Sequence, residues 1–391
     1  MISIRFSNPQ KHKVVIFDYA GSEILERMVL QDIEHGVLHS RHEILYITPK
    51  ILFGILRNLK YVKLMRYGDF DRNLINFLKQ LSGCLYRVYL LSCVECMRPK
   101  VVITFVDNSY PFQVISRIYK DALFIAVQNG MRIKDCLKDS RPPSPEPGSV
   151  ISMPMLICFG RHDIDIYKAY NHKIDNYYPL GALRARYYRS FLSKNRVKYD
   201  FDLCLISTWL ESSILGNYMP QFGRGMIMLD NFINQYIKES NISFCIALRS
   251  NDKKEEEYFR NIYGDRAFLI TADRELMSSY DAIDRSVISI SSSTTLTREA
   301  FGWGAKILSC NFSGDDQLDF PCSGFWFMKE QDYGLFKERL DYIKGMTHEE
   351  YHDKVKIPAN YIMNNDSKPP HEFVRELILN TMLGKNDDKN T

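Results

Sequence analysis

No stretch of this sequence approaches the roughly 18–20 apolar residues that a membrane-spanning helix needs. Its opening residues, MISIRFSNPQKHKVV, hold no apolar signal-peptide core. Both absences lead to the expectation of a cytoplasmic protein. An excess of one charge is lacking too: 51 Lys and Arg stand against 47 Asp and Glu, a formal net charge of +4. That is too small to mark a nucleic-acid binder. The nine cysteines fall singly along apparent strands and helices, which suits buried, reduced thiols rather than a disulfide framework. Cys93 and Cys96 have C-x-x-C spacing, but a redox pair sits just after a strand at a helix start. YRVYLLSCVECMRPK reads instead as the end of an apolar helix.

What is present points to two α/β domains. With 391 residues, 45% hydrophobic and 25% charged, the chain can build two cores of about 150–200 residues each. In the first half, short runs at 13–18, 43–48, 100–106, 122–127 and 155–159 read as strands. Segments of helical period lie near 21–34, 50–60, 71–97, 110–119 and 163–170. The second half repeats the alternation, with strands at 202–207, 242–248, 267–270, 286–290 and 305–309. Its helices fall near 223–239, 252–262, 274–281, 294–302 and 333–345. Such alternation predicts parallel sheets covered on both faces. The Pro- and Ser-rich KDSRPPSPEPGSV (138–150) reads as a surface loop. The expectation is an α/β fold of two doubly wound, Rossmann-like domains facing a central cleft. Their bounds are 1–185 and 201–370, with a basic, aromatic connector at 186–200 and a C-terminal helix with a frayed tail over 371–391.

Ligands of open α/β sheets bind beyond the carboxyl ends of the strands, so the loops there hold the candidate residues. After VVITFV come Asp107 and Asn108. Asp107 could accept a proton from an acceptor hydroxyl, or either residue could cap the following helix. After LFIAV, Gln128 and Asn129 offer donors and acceptors for sugar hydroxyls, and Arg132 can meet a carboxylate or phosphate. After MLICFG, His162 is a candidate acid, base or phosphate contact and Asp163 a helix cap. Arg184 follows Gly181. In the second half, LCLIS ends at Ser207 and leads to Glu211, a second candidate catalytic carboxylate. CIALRS delivers Arg249, whose guanidinium suits a phosphate.

The most telling stretch is ISISSSTTLTREAFGWGAKIL. An apolar strand runs into five consecutive hydroxyl residues, Ser291, Ser292, Ser293, Thr294 and Thr295, before a helix bearing Glu299. The free amides and dipole of a helix start form a ready anion site, to which small hydroxyls add donors without bulk. One or two hydroxyls would suffice for a cap, and five exceed that need. Glu299 could hold ribose hydroxyls, or be an ordinary solvated residue. His348-Glu349-Glu350-Tyr351-His352 matches the H-E-x-x-H zinc pattern, but its flanks are polar and Thr347 with Glu350 fits a capping box. Residues 50–66 mix Leu, Ile, Phe and Met with Lys50, Arg57, Lys60, Lys63 and Arg66. This basic amphipathic surface could lie on an anionic membrane or be an ordinary solvated helix.

KVVITFVDNSYPFQVISRIYKDALFIAVQNGMR (100–132) resembles the bacterial surface carbohydrate biosynthesis proteins. Thr104, Phe105, Asp107, Asn108, Gln128, Asn129, Gly130 and Arg132 match their T-F-x-D-N and Q-N-G-x-R strand ends. DYAGSEIL (18–25) and YYPLGALR (177–184) are similar to the same family less specifically. SISSSTTLTREAFGWGAKIL is similar to the donor turn of GT-B glycosyltransferases, including those using CMP-activated sugars such as Kdo and the CDP-glycerol polymerases. The resemblance implies a metal-independent enzyme without a cofactor, in keeping with the absence of a convincing D-x-D motif. It would move a sugar from a nucleotide-sugar donor to an oligosaccharide or lipid-linked acceptor of O-antigen or capsule, in the cytoplasm or, if the surface of 50–66 binds lipid, at the inner face of the cytoplasmic membrane. Ser291–Thr295 would hold the donor phosphate and Glu299 the ribose. The His-Pro dipeptide of several sialyl- and Kdo-transferase families is lacking, which leaves the donor sugar open. A nucleotide-sugar 2-epimerase on the same fold, or a non-catalytic subunit of a polysaccharide assembly complex, are the other expectations.

Overall fold

The computed structural model describes residues 3–39, 44–65, 73–132, 151–193, 199–211, 220–275 and 277–384. The proline-rich segment 138–150 lies outside them. The chain divides into two compact units. The first comprises 1–159, 163–184 and 368–391, and the second 160–162 and 185–367.

Among its described residues the first unit holds eight strands: β1 (Ser3–Arg5), β2 (Val14–Phe17), β3 (His35–Leu38), β4 (Ile44–Tyr46), β5 (Val101–Thr104), β6 (Leu123–Val127), β7 (Ser152–Cys158) and β8 (Lys173–Pro179). Six form one sheet in the order β3-β2-β5-β6-β7-β8, and every pairing is parallel. Every residue of β2 and β5 is buried, as it must be for strands covered on both faces. That is why they appear in the sequence as unbroken apolar runs.

One expectation needs correction. EILYIT does not enter the main sheet, because β4 pairs with β1 in a separate two-stranded ladder. The place beside β2 is taken by His35–Leu38, which is only partly buried and carries no apolar alternation. The helix Leu183–Phe191 spans the start of the expected connector at 186–200. Cys93 and Cys96 lie inside the long helix Leu74–Met97, and burial pushes the Cys93 thiol up to about 12. A thiol held that high is a poor nucleophile.

The second unit contains β9 (Phe201–Ile206), β10 (Phe244–Ala247), β11 (Ala267–Ile270), β12 (Ser286–Ser291), β13 (Ile307–Cys310) and β14 (Phe327–Met328). They form a parallel sheet in the order β11-β10-β9-β12-β13-β14. Counted from β9 this is 3-2-1-4-5-6, the order of dinucleotide-binding domains, with the direction of winding reversing between β9 and β12. The C-terminal helix Pro370–Met382 returns to the first unit. There Arg375 donates to the carbonyls of Val29 (3.1 Å) and Leu30 (3.0 Å), and Phe373 packs on Tyr178.

Asp230 tests the second core. It lies in the helix Pro220–Ser240, 3% exposed, and accepts from the hydroxyls of Tyr258 (2.6 Å) and Tyr263 (2.9 Å). Burial raises its pKa to about 6 although both tyrosines oppose the shift. A folded value above the unfolded one favours the fold fully below about pH 4, and that favour is lost as pH rises through 6. Replacing Asp230 by Asn removes this titration. Urea unfolding at pH 4 and pH 7 should show Asp230→Asn gaining about 2–3 kcal/mol on the parent between the two. An equal difference at both pH values would mean that Asp230 titrates normally.

Candidate functional site

At the carboxyl edge of the first sheet, the helix Tyr110–Ile118 starts after Ser109, which is its N-cap. Asp107 and Asn108 therefore precede the cap, which removes the capping alternative for both. Asp107 has no exposure. Arg132 binds it in a two-pronged pair, Nε to Oδ2 at 3.0 Å and Nη2 to Oδ1. The Asn129 amide (3.2 Å) and the Tyr167 hydroxyl (3.3 Å) also donate to it. Burial works against the charge on Arg132, but Asp107 and Tyr167 more than reverse this, so its pKa stands above the ordinary value. Gln128 completes the clamp. Its Nε2 donates to Asp163 Oδ1 (2.9 Å) and the Gly130 carbonyl (3.0 Å), while its Oε1 accepts from the Phe159 amide (3.2 Å). Asp163 is thus a buried acceptor inside the helix Arg161–Ala169, not its cap.

The other candidates of this unit are more open. Asn108 is exposed and Asn129 half-buried. Arg184 lays its guanidinium over the Phe105 ring at 5.2 Å. The same ring crowds Gly21, where a Cβ would come within 2.8 Å of Phe105 Cδ1 and where φ is +85°. Only glycine suits that position. Segments 18–25, 104–108 and 177–184 thus meet around one ring. His162 groups with the second unit and stands edge-on to Tyr361 at 5.7 Å.

In the second unit the loops after β9, β10 and β12 are tied to each other at the reversal in strand order. Glu255 has no exposure and accepts from Ser207 Oγ (2.5 Å), Ser250 Oγ (2.7 Å) and the amides of Arg249 (2.8 Å) and Ser250 (2.9 Å). Thr208 Oγ1 hydrogen-bonds to Ser292 Oγ at 2.6 Å, joining the β9 loop to the hydroxyl turn. Arg249 is exposed and donates from Nη1 to the Trp209 carbonyl at 3.2 Å. Glu211 pairs with Lys254 at the surface.

The hydroxyl run splits into two parts. Ser291 is fully buried, bonded to Thr297 Oγ1 and to the Ser292 carbonyl (2.6 Å), and so is structural. Ser293, Thr294 and Thr295 are half-buried. Thr294 is the N-cap of the helix Thr295–Gly302 and makes no side-chain cap hydrogen bond. Capping therefore does not explain it. Glu299 is 5% exposed and accepts from the Tyr280 hydroxyl, which rules out the solvated alternative. Over the zinc-like pentapeptide, Thr347 and Glu350 form the expected capping box, with donation from Thr347 N to Glu350 Oε2 at 2.7 Å. Among the described residues there is no group of three His, Cys, Asp or Glu side chains placed to hold a metal.

Residues 125–377, more than half of the sequence, match the model of a family described as "putative O-antigen biosynthesis protein". The chain belongs to that family. No curated protein matches it. Among solved structures it is similar to the "putative UDP-N-acetylglucosamine 2-epimerase" of Listeria monocytogenes, at 14% identity with a TM-score of 0.58 over 97% of this chain and 98% of that one. It is also similar to the UDP-GlcNAc 2-epimerase of Neisseria meningitidis bound to UDP-GlcNAc (12%, TM-score 0.50, 95% and 99%). A third likeness is to the wall teichoic acid polymerase TagF soaked with CDPG (14%, TM-score 0.51, 97% and 91%). At such identities the likeness is one of fold: two Rossmann-like domains of the GT-B kind.

For this O-antigen biosynthesis family member, Glu255 and Tyr167 went unrecognised as site residues in the sequence. Glu255 sits in KKEEEYF, where nothing distinguishes the one acid that turns inward except its place three residues after the helix cap Asp252. The clamp yields a direct test. Arg132→Met strands a buried carboxylate and should destabilise the protein by about 3–5 kcal/mol, and adding Asp107→Asn should recover much of that loss. Urea unfolding of both variants measures it. A single variant as stable as the parent would show that the pair does not form.

Proposed function

We propose that this protein is a glycosyltransferase that moves a sugar from a nucleotide-activated donor, CMP-linked by the sequence resemblance, to a growing surface polysaccharide. The observation that carries the reading is the N-terminus of the helix Thr295–Gly302. It stands at the reversal in strand order, is tied to the β9 loop through Thr208 and Ser292, and has no side-chain cap. A phosphate there meets the amides of the first helical turn and the positive end of the helix. Ser292 to Thr295 receive the phosphate, Arg249 and Ser207 border it, and Ser291 holds the turn in shape. Glu299 faces the nucleotide ribose from within its bond to Tyr280.

The acceptor oxygen attacks the anomeric carbon, the bond from that carbon to the phosphate oxygen breaks, and the acceptor proton passes to a carboxylate. Stabilising the leaving phosphate is the work of the helix terminus and Arg249, so this reading needs neither metal nor cofactor. Asp107 is committed to Arg132 and serves as a positioning residue for the acceptor loops. Glu211, half-buried and paired only at the surface with Lys254, is the better candidate base. Asn108, Asn129 and Arg184 border the acceptor, a lipid-linked glycan at the membrane surface, with Gln128 and Arg132 holding the loops behind them and residues 50–66 as the peripheral contact. A second reading, a nucleotide-sugar 2-epimerase, has the support of the Listeria likeness in fold. It would yield a 2-epimer with no acceptor present.

A thermal-shift series with CMP, CDP, UDP, GDP and their sugar conjugates tests the donor site. A ligand at about 100 times its dissociation constant adds about 2.7 kcal/mol to stability. One nucleotide class should raise Tm, and Ser292→Ala/Thr294→Ala should abolish the rise. If no nucleotide shifts Tm at millimolar concentration, the donor reading is wrong.

A further inference from the structure

The helix Pro49–Asn58 turns Ile51 and Ile55 toward the core but leaves its larger apolar side chains in water. Its inward face presents Ile51, Gly54 and Asn58, all buried. Asn58 donates to Ser92 Oγ (3.2 Å) and Glu95 Oε2 (2.7 Å), and Gly54 lets the helix close on Ser92, whose Cβ would be 3.0 Å from an added methyl. A second apolar side points outward. Leu52 is 50% exposed, Phe53 and Leu56 67%, and Leu59 and Leu64 follow at 42% and 63%. The spacing 52, 53, 56, 59 sets these side chains along one side of a helix. The helix Leu74–Met97, against which it packs, exposes Leu74, Ile75, Leu78 and Leu85 over its first three turns.

Charge identifies the occupant. Between Ile44 and Val94 the sequence has eight cations, Lys50, Arg57, Lys60, Lys63, Arg66, Arg72, Lys79 and Arg87, against two acids, Asp69 and Asp71. Lys50, Lys60, Lys63 and Lys79 are exposed beside the apolar side chains, while Arg57 is paired with Glu95. Singly exposed apolar residues are ordinary, but an apolar face on one helix rimmed by lysines marks an interface. A helix of this make-up lies in the plane of a bilayer, with its apolar side among the acyl chains and its lysines at anionic headgroups.

We propose that the outward face of Pro49–Asn58, extended through Leu64 and the first turns of Leu74–Met97, docks the first domain on an anionic lipid bilayer. This deepens the membrane-surface reading of the acceptor and rests on it for its purpose. Vesicle binding is read without nucleotide or turnover, so its failure leaves the donor site standing.

Flotation of the full chain with phosphatidylcholine vesicles, with and without about a third phosphatidylglycerol, tests it. Binding should require the anionic lipid and weaken in high salt. Phe53→Ser/Leu56→Ser, at positions open to solvent, should lower partitioning about tenfold or more without changing Tm. Lys60→Gln/Lys63→Gln should erode the preference for anionic vesicles. Ile357→Ser, at an isolated residue 84% exposed elsewhere in the chain, should leave binding unchanged. Absence of binding to anionic vesicles overturns the proposal, as does binding indifferent to Phe53→Ser/Leu56→Ser. If the parent fails to bind vesicles but sediments as a dimer that this variant dissociates, the face belongs to a second copy of the chain.

Discussion

Glu255 reaches back from the helix Lys253–Tyr263 to accept four hydrogen bonds from the loops after β9 and β10, and it does so with no exposure to water. A buried carboxylate is costly unless every lone pair is used. Holding its donors is what fixes Ser207 and the backbone at Arg249. Ser207 in turn accepts from the Trp209 amide at 3.2 Å, and the neighbouring Thr208 reaches Ser292. The shape of the hydroxyl turn thus depends on an acid outside it. The first domain uses a related device, since there Asp107 is met by a full charge, Arg132, in addition to one amide and one hydroxyl.

This contrast separates the two conspicuous motifs by what they do. The T-F-x-D-N and Q-N-G-x-R strand ends close upon each other, through Asp107, Asn129, Arg132 and Tyr167. Gln128 then pins β6 to the loop after β7. Groups so thoroughly paired hold a scaffold, and the residues left toward solvent, such as Asn108, are the ones able to meet a ligand. The hydroxyl run behaves differently. Its first member is buried and bonded within the turn, its second reaches Thr208, and the helix behind it begins without a side-chain cap hydrogen bond from Thr294.

Much of the fold was legible because strands buried on both faces appear as unbroken apolar runs. VVIF, VVIT and LFIAV mark the middle of the first sheet. The edge strands were not legible for the converse reason. HGVL and KIDNYYP are covered on one side at most, so their composition is that of loops. EILYIT has strand character yet pairs with β1, since propensity names a conformation and not a partner. Within the site, strand-end position was enough to nominate Asp107 and Ser291–Thr295. It could not tell that Asp107 is paired, that Ser291 turns inward, or that Glu255 and not its neighbours Glu256 and Glu257 is enclosed. Those facts depend on contacts between residues far apart in sequence.

Hydrogen–deuterium exchange with and without the nucleotide that stabilises the protein tests the central claim most directly, that the donor sits at the strand-order reversal of the second domain. The account predicts slowed exchange in peptides covering 207–211 and 291–299, with the loops at 105–109 and 128–132 unaffected by nucleotide alone. Protection confined to the first domain's loops, leaving 291–299 unchanged, would contradict it.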